Sequence, residues 1–366
     1  MHASTRPSQA GPVMNFFLSR LGIFLLTLAF CLPAWAAVRA ETETPAETVG
    51  VMVDSQSYLV NLEYTGAASE YREGETFFGE YFTLAAVYRP SPAISLAAGA
   101  FLGWSFGKDD ELEEIEPYFR FFYRPNDNFD LTFGNLSRER HTFLEAIFDD
   151  ALVYDRPTEH GLELYGGWKW FSQSVWVNWQ GLNTPEHREK FDLGAITKAD
   201  LDWLCLDFQF HYIHRGGQLF DVGPVYDDFS LALGGQILLP IPFLDRSGLA
   251  AHWLHSHIIP DRSEDERLGG DGAELTLFAE KWGVRVFASY WFGDEFLTED
   301  GDPFYRADDF FKFGLAKTFD LTDWISLEVG ANGYVIDGEF VHDEHLLIGI
   351  HFEYDRPIKS PWRKRD

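Results

Sequence analysis

The chain has 366 residues, of which 46% are hydrophobic and 17% aromatic, and its formal net charge is −29. The aromatic content excludes an intrinsically disordered chain, and the negative charge argues against nucleic acid, whose phosphates require Lys and Arg. The two cysteines, Cys31 and Cys205, are too few for a disulfide framework or a four-ligand zinc ribbon.

The N-terminal segment has the three parts of a secretory signal peptide. Arg20 supplies the positive region, residues 21–32 the apolar region, and Ala34-Trp35-Ala36 the cleavage site. The apolar run is shorter than the roughly 20 residues of a membrane-spanning helix. Residues 1–36 are therefore predicted to be a signal peptide for export, and residues 37–54 a flexible periplasmic lead-in without periodicity.

Segments of about ten residues with alternating apolar positions follow Asp54, as in transmembrane β-strands. Two of the clearest are residues 93–104 and 325–335. Sixteen such segments can be counted: 55–64, 79–89, 93–105, 114–124, 128–136, 160–170, 173–181, 189–197, 202–213, 228–239, 247–257, 273–282, 284–292, 309–319, 324–335 and 344–354.

The connections between these segments alternate in length. Those after even-numbered strands are short, whereas most after odd-numbered strands are longer and acidic, for example 137–159 and 293–308. Bacterial outer-membrane barrels show this alternation, and a soluble β-sandwich has no reason to show it. The sequence predicts an all-β fold, a transmembrane antiparallel β-barrel of about 16 strands over residues 55–354, with a periplasmic tail at 355–366.

The last predicted strand carries Leu346, Ile348, Ile350, Phe352 and Tyr354 on one face. It resembles the C-terminal signal of Gram-negative outer-membrane proteins, which the barrel-assembly machinery binds. The resemblance implies the outer membrane as location, with its lipid and lipopolysaccharide as partners. Aromatic residues near strand ends fit interfacial girdles: Tyr88, Trp104, Tyr123, Trp168, Trp170, Trp203, Trp282, Trp291 and Trp324.

Polar positions on the other strand face are expected to line the lumen. Sixteen strands leave an aqueous channel, and an excess of acids favours cations, although each residue could simply pair with a neighbour. The inward candidates are Asn61, Glu63, Glu116, Tyr118, Arg120, Glu163, Lys169, Asn178, Gln180, Asp207, Gln209, His211, Gln236, Glu274, Glu280, Arg285, Lys312, Glu328 and Asn332.

The longest connection, residues 137–159, has apolar residues at helical spacing, such as Phe143, Ile147 and Ala151. Its position as the third outer loop resembles the constriction loop of general porins, which folds into the lumen. A helical loop inside the barrel is predicted, the alternative being an exterior lid or a subunit contact. The predicted pore constriction consists of Glu116, Arg120, Glu145, Asp149, Asp150 and Arg285.

A second pattern in this region is Gly134-Asn135-Leu136, His141, Glu145, Asp149, Arg156-Pro157, Glu159 and Gly161-Leu162. It resembles a pattern in outer-membrane proteins of unassigned function and implies no particular activity.

Catalytic and metal motifs are sparse. The sequence has no G-x-S-x-G elbow and no H-E-x-x-H pair. His255 and His257 share a strand face but lack an evident third metal ligand, and His141 with Asp149 and Asp150 could imitate Asp/His proteases. Acidic outer loops are expected to be solvated rather than to bind Ca²⁺. Neither enzymatic activity nor a metal or other cofactor is predicted.

The sequence therefore favours a porin-like channel for passive diffusion of small hydrophilic solutes, with a preference for cations. Porin resemblance also implies a homotrimer. Two alternatives stay open: a barrel enzyme that hydrolyses lipid or peptide, and a closed structural or adhesion barrel.

Overall fold

The computed structural model describes residues 47–107 and 114–358. The predicted signal peptide, residues 1–36, lies outside the described residues. Residues 37–46 of the predicted lead-in and residues 359–366 of the predicted tail lie outside them too. Among the described residues, no helix is long and apolar enough to cross a membrane.

The described chain forms a closed barrel of sixteen antiparallel strands in sequence order, and β1 pairs with β16 to close it. This confirms the predicted fold and strand number. The strands are β1 Thr48–Glu63, β2 Thr76–Ser91, β3 Ile94–Ser105, β4 Glu114–Asn126, β5 Phe129–Asn135, β6 His160–Trp168, β7 Phe171–Gly181, β8 Glu189–Asp200, β9 Leu204–Gly216, β10 Tyr226–Leu238, β11 Arg246–Ile259, β12 Asp271–Lys281, β13 Val284–Asp294, β14 Asp309–Thr322, β15 Ile325–Ile336 and β16 Glu339–Pro357.

Both ends of the barrel sequence extend further than predicted. Thr48 pairs with Pro357, so residues 48–54 of the expected lead-in and residues 355–357 of the expected tail belong to strands. Val49, Val51 and Val53 continue the alternation of β1, which explains why this segment joins the sheet. We call the barrel end that carries the long connections the outer end, and its loops the outer loops.

The third outer loop, residues 136–159, and the seventh, residues 295–308, enter the barrel and pack together. The Asp149 amide donates to the Asp300 carbonyl at 2.7 Å, and the Asp302 amide donates to the Glu145 carbonyl at 2.8 Å. We call these two loops the plug. The insertion of the third loop agrees with the prediction.

The predicted helix in the third loop is wrong. The loop contains only the short 3₁₀ helices Arg138–Arg140 and Asp150–Tyr154. Its apolar residues pack in several directions, since Ile147 contacts the seventh loop and barrel core while Phe143 packs on Trp176. A single helical face is therefore not needed to bury them.

The face assignment of β1 is also corrected. Tyr58, Val60 and Leu62 are buried and face the lumen, whereas Leu59 is 40% exposed on the outside. Asn61 and Glu63, predicted to be inward, share the outward face with Leu59 because side chains alternate along a strand. The lumen is apolar at this height because the plug, rather than water, fills it.

Two further placements differ from the predictions. Lys169 lies in the turn between β6 and β7 and not on a lumen wall. Trp291, predicted to be interfacial, is 1% exposed in the plugged lumen, where its indole N–H donates to the Ala307 carbonyl at 3.1 Å. By contrast, Trp168, Trp170, Trp203, Trp282 and Trp324 are exposed near short turns.

Candidate functional site

The plug fills the outer half of the lumen. Ala146, Ile147 and Phe304 are completely buried in one apolar cluster that also includes inward side chains of β1, β10, β11 and β13–β16. A cavity of 530 Å³ remains towards the other end of the barrel. Its lining includes Asp54, Gln56, Thr83, Pro157, Glu328 and His351.

Ion pairs attach the third outer loop to the barrel interior. Lys312 of β14 is 4% exposed and pairs with Glu145, and Arg72 of the first outer loop contacts Asp149 at 2.6 Å. Paired acids at these positions hold the loop in place and are not free to line a pore. Two of the predicted constriction residues thus have structural partners.

Charges between the two plug loops are only partly compensated. Arg156 bonds Asp300 at 2.8 Å, whereas Asp302 is buried close to other acids. Burial, with the charges of Asp149 and Glu145, raises the pKa of Asp302 to about 7. Desolvation by the surrounding barrel and the charge of Glu145 also raise the pKa of Asp150 to about 7, although its side chain retains contact with lumen solvent.

The other predicted constriction residues are not brought together. Glu116 accepts a hydrogen bond from the Thr158 hydroxyl at 2.9 Å, and Arg120 donates to the Asn135 carbonyl at 3.1 Å. Arg285 lies one residue from the short turn after β12, over the Phe278 ring. These three residues therefore do not form one ring with the acids of the third loop.

The second sequence pattern turns out to hold the plug. His141 Nδ1 lies 2.6 Å from Glu159 Oε2, and the imidazole stacks on Trp176 at 3.8 Å. Although burial opposes it, the bond from His141 lowers the pKa of Glu159. Since the His141 side chain is only 3% exposed, this histidine–carboxylate pair is enclosed within the barrel. His141 does not pair with Asp149, which bonds Arg72 instead.

A different histidine–carboxylate pair faces away from the lumen. His214 of β9 and Asp227 of β10 are cross-strand neighbours, with His214 Nδ1 at 2.8 Å from Asp227 Oδ1. His214 is on the same face of β9 as Leu206 and Phe208, which are 45% and 38% exposed. This face is the outer wall of the barrel, where side chains meet lipid.

Two further groups complete this wall cluster, which we define as Tyr212, His214, Asp227 and Arg262. The Tyr212 hydroxyl donates to Asp227 Oδ1 at 2.5 Å, and Arg262 Nη2 donates to the same oxygen at 2.7 Å. Arg262 Nε donates to Asp227 Oδ2, which makes the pair bidentate. The bond to Asp227 raises the pKa of Arg262 despite partial burial, so the guanidinium stays charged.

The wall cluster is at the outer end of its strands. His214 lies two residues before the end of β9, Asp227 is the second residue of β10, and Arg262 comes from the sixth outer loop, residues 260–270. Arg262 is fixed there by its amide, which donates to the Val225 carbonyl at 2.9 Å. Polar heads on the wall at this height would meet the headgroup region of the outer leaflet.

An aromatic strip borders the wall cluster on the side of β7 and β8. The Phe191 ring is 5.1 Å from His214, and Trp179 stacks on Phe191 at 5.2 Å. Trp179 is 44% exposed on the wall. Rigid apolar rings beside a polar group provide a surface for both ends of an amphipathic ligand.

Glycine next to the histidine determines where its ring lies. A Cβ at position 216 would lie 2.1 Å from His214 Nε2. The imidazole therefore occupies the space that the side chain of any residue other than glycine at this position would need. Gly216 thus allows Nε2 to project along the wall towards the outer loops.

The wall cluster is supported from inside the barrel by the plug. Lys190, Arg215 and Asp228 each adjoin a wall residue but face inward, because neighbours along a strand alternate. Lys190 Nζ contacts Glu299 Oε1 at 2.8 Å, Arg215 bonds the same oxygen, and the Glu299 amide donates to Asp228 at 2.6 Å. One plug residue therefore ties β8, β9 and β10 together behind the wall cluster.

The histidines considered as metal ligands lie on the next strand of the wall. His255 Nδ1 is 3.1 Å from Asp271 Oδ1, and His257 shares its outward face. Within the described ranges 47–107 and 114–358, no three His, Cys, Asp or Glu side chains form a metal-binding group.

The wall cluster was missed by sequence reasoning, although a signal was present. Tyr212 and His214 interrupt the face of β9 that carries Leu206, Phe208 and Phe210. Polar residues on a lipid-facing strand face are costly, and such a break indicates a site.

Comparison with protein families gives one match. The model described as "Lipid A 3'-O-deacylase-type" matches residues 40–324, which is most of the chain. The prediction that the chain is not an enzyme is therefore wrong, because the matching family is a deacylase type. No curated protein matches the sequence.

Solved structures with a similar fold are outer-membrane barrels. A loop L8 deletion mutant of OmpT, an outer-membrane protein of Vibrio cholerae, has a TM-score of 0.54 at 8% identity and covers 84% of this chain and 100% of its own. In-vitro folded OmpT in its trimer form has a TM-score of 0.51 at 10% identity, covering 84% and 100%. Pseudomonas aeruginosa OprD has a TM-score of 0.51 at 9% identity, covering 87% and 99%.

These similarities confirm the predicted class and location. The chain is an outer-membrane β-barrel of a Gram-negative bacterium, with a fold like that of porin-like barrels.

Proposed function

The chain belongs to the lipid A 3'-O-deacylase-type family, and we propose that it is an outer-membrane hydrolase that removes an ester-linked acyl chain from a lipid A-type glycolipid. The family match supports the reaction class. The family is named for lipid A, which suggests the substrate class, and the outer membrane contains that lipid in the leaflet that the outer loops adjoin.

One structural observation carries the proposal: the outer lumen is filled, while a histidine–carboxylate pair faces the lipid. Ile147 and Phe304 occupy the space that a solute entering from outside would need. A lipid substrate needs no such route, because its ester bonds lie at the membrane interface beside the wall. The buried pair of His141 and Glu159 is unsuitable for such a substrate, since both side chains are enclosed.

The test is expression of the protein in a Gram-negative host followed by mass spectrometry of its lipid A. We expect a new lipid A species that is lighter by one acyl chain and retains both glucosamines and phosphates. A host carrying the empty vector is the control. An unchanged lipid A profile, with the folded barrel present in the outer membrane, would contradict the proposed function.

Passive diffusion is the second candidate, and the cavity of 530 Å³ is the observation in its favour. The plug opposes it, because the pairs Glu145–Lys312 and Asp149–Arg72 hold the third loop across the outer lumen. Planar-bilayer recordings test it directly. Stable, cation-selective steps that weaken when Glu145, Asp149 and Asp150 are neutralised would favour a channel, and a folded barrel without conductance would exclude it.

Further partners follow from the same proposal. Lipopolysaccharide would be the substrate-bearing lipid, and the barrel-assembly machinery would insert the chain through its last strand. The trimer form of OmpT makes a homotrimer a reasonable expectation, which chemical crosslinking in outer-membrane vesicles would test.

A further inference from the structure

We propose that the wall cluster is the catalytic site, with His214 as the general base and Asp227 as the residue that orients it. This inference rests on the proposed function and extends it, because neither the family match nor the fold assigns a catalytic residue. The substrate it would take is the acyl ester of a lipid whose chains lie against the barrel wall.

The hydrogen bonds of His214 suit a general base. Nδ1 is turned towards Asp227 Oδ1 at 2.8 Å, which places the proton on Nδ1 and leaves the Nε2 lone pair for water. Tyr212 and Arg262 bind the same carboxylate and fix its position. Because Gly216 leaves room for the ring, Nε2 projects along the wall and not into the sheet.

Arg262 is the group that can stabilise negative charge on the reacting carbonyl. Its bonds to described residues run through Nε and Nη2, and its side chain is 36% exposed. Nη1 is thus directed to no described acceptor. A charged N–H donor at an ester carbonyl favours the oxyanion over the neutral ester, which is the basis of electrostatic catalysis.

The reaction is a hydrolysis in which water is the second substrate. His214 Nε2 takes a proton from water, and the hydroxide oxygen forms a bond to the carbonyl carbon while the carbonyl electron pair moves onto its oxygen. When the tetrahedral intermediate collapses, the bond from carbon to the alcohol oxygen breaks. The proton on Nε2 passes to that oxygen, so the products are a fatty acid and the alcohol of the glycolipid.

The surroundings select a lipid. Trp179 and Phe191 extend from His214 around the wall, and Phe208 and Phe210 lie below it on β9. An acyl chain lying on these rings would stay in the apolar layer while its ester reaches the histidine at the interface. A water-soluble ester would lack this binding surface and should be a poor substrate.

A second polar patch on the wall is the alternative location for a catalytic site. It is formed by Ser55 and Ser57 of β1 with Glu80 of β2. Both hydroxyls bond the Glu80 carboxylate, on the wall beside Trp104. This patch has no imidazole among its three members, so it lacks the side chain that most often serves as a general base. The variant Glu80→Gln tests it alongside the wall cluster.

The experiment measures fatty acid released by the purified full-length barrel from vesicles of phospholipid containing lipid A, and from phospholipid vesicles alone. His214→Gln and Asp227→Asn should each lower turnover on lipid A by about 100-fold or more, the usual contribution of a general base. His255→Gln is the matched control, because His255 is also a wall histidine paired with an aspartate. It should leave turnover unchanged.

Folding is checked by the heat-dependent gel mobility of each barrel, and Gly216→Ala provides an independent variant. It keeps every group of the wall cluster but places a methyl group where His214 Nε2 lies. We expect a folded barrel with turnover lowered at least 10-fold and a nearly unchanged KM, because the base is displaced while the lipid surface stays.

The outcomes separate the site from the function. If folded His214→Gln and Asp227→Asn still hydrolyse lipid A, the wall cluster is not the catalytic site, but the proposed function is retained. If Glu80→Gln then loses this activity, the catalytic site is the patch of Ser55, Ser57 and Glu80. Hydrolysis of phospholipid alone that requires His214 would support the site and contradict lipid A as the substrate. A folded wild-type barrel that releases fatty acid from neither vesicle overturns both.

Discussion

Two histidine–carboxylate pairs, His141–Glu159 in the plug and His214–Asp227 on the wall, have similar hydrogen bonds but different surroundings. The ring-nitrogen-to-oxygen distances are 2.6 and 2.8 Å. The first pair is closed in by Trp176 and the barrel, with the His141 side chain 3% exposed, whereas the second lies on the lipid-facing wall, where the His214 side chain is 13% exposed. The pairing itself does not indicate catalysis, and the face of the strand decides what the pair can do.

The largest effect should come from unpairing a buried charge of the plug. Lys312→Met leaves Glu145 without its partner in an enclosed lumen, and breaking a buried pair costs about 3–5 kcal/mol. The free energy of unfolding of the refolded barrel in denaturant measures this. Lys281→Met at an exposed turn is the control, and an equal loss in both variants would show that Lys312 has no special role in the plug.

Substituting each of the two histidines in turn should affect different properties of the protein. His141→Gln should lower the free energy of unfolding by about 1–3 kcal/mol, because it leaves buried Glu159 less well bonded, and should change turnover little. His214→Gln should lower turnover strongly and change the free energy of unfolding little. The measurements are denaturant unfolding and fatty acid release on the same two preparations, and a loss of turnover in His141→Gln would contradict the distinction.

The stability of the plug should also depend on pH. The pKa of buried Asp302 is raised to about 7, so the folded state holds this proton more tightly than the unfolded state does. The contribution of Asp302 to the stability of the plug is therefore greatest below about pH 4 and declines as pH rises to 7, by roughly 4 kcal/mol at most.

Hydrogen exchange of the seventh outer loop at pH 5 and pH 8, corrected for intrinsic rates, measures this decline. Asp302→Asn keeps an oxygen for the Phe304 amide and should reduce the dependence of the loop's protection on pH in that range. A wild-type loop with equal protection at both values would rule out Asp302 as a determinant of plug stability.

The smallest expected effect links the two regions. Glu299→Gln weakens the contacts of the plug to Lys190 and Arg215 behind the wall cluster, and should lower kcat about three- to tenfold with KM nearly unchanged. Glu295→Gln, exposed in the same loop, is the control. If Glu299→Gln raised KM without lowering kcat, Glu299 would not position the catalytic groups.

The barrel was predictable from the sequence because its evidence is local. Period-two apolar patterns and alternating loop lengths are properties of short segments, and they gave all sixteen strands. The assignment of faces was less secure. Polar side chains were expected to face the lumen and apolar ones the lipid, which holds for Tyr118 and Arg120 but fails for β1, where Tyr58 and Val60 pack on the plug.

The site was harder to predict than the barrel because its residues come together across strands and loops. Asp227 and Arg262 are 13 and 48 positions after His214, and no spacing rule connects them. The plug contacts were likewise invisible, since Glu145 meets Lys312 across 167 positions. The helical spacing of apolar residues in the third loop led to a wrong prediction of a helix, because a loop enclosed by the barrel can bury apolar residues in every direction.

The alternation of faces at the wall cluster has a consequence for assembly of the barrel. Phe191, His214 and Asp227 face out, and their chain neighbours Lys190, Arg215 and Asp228 face in. If one of these strands joined the sheet one residue out of step, its charged neighbour would point out of the barrel and Glu299 would lose that partner. A register shift of β8, β9 or β10 therefore disrupts contacts on both faces of the sheet at once. These three strands should favour the correct register during assembly of the barrel.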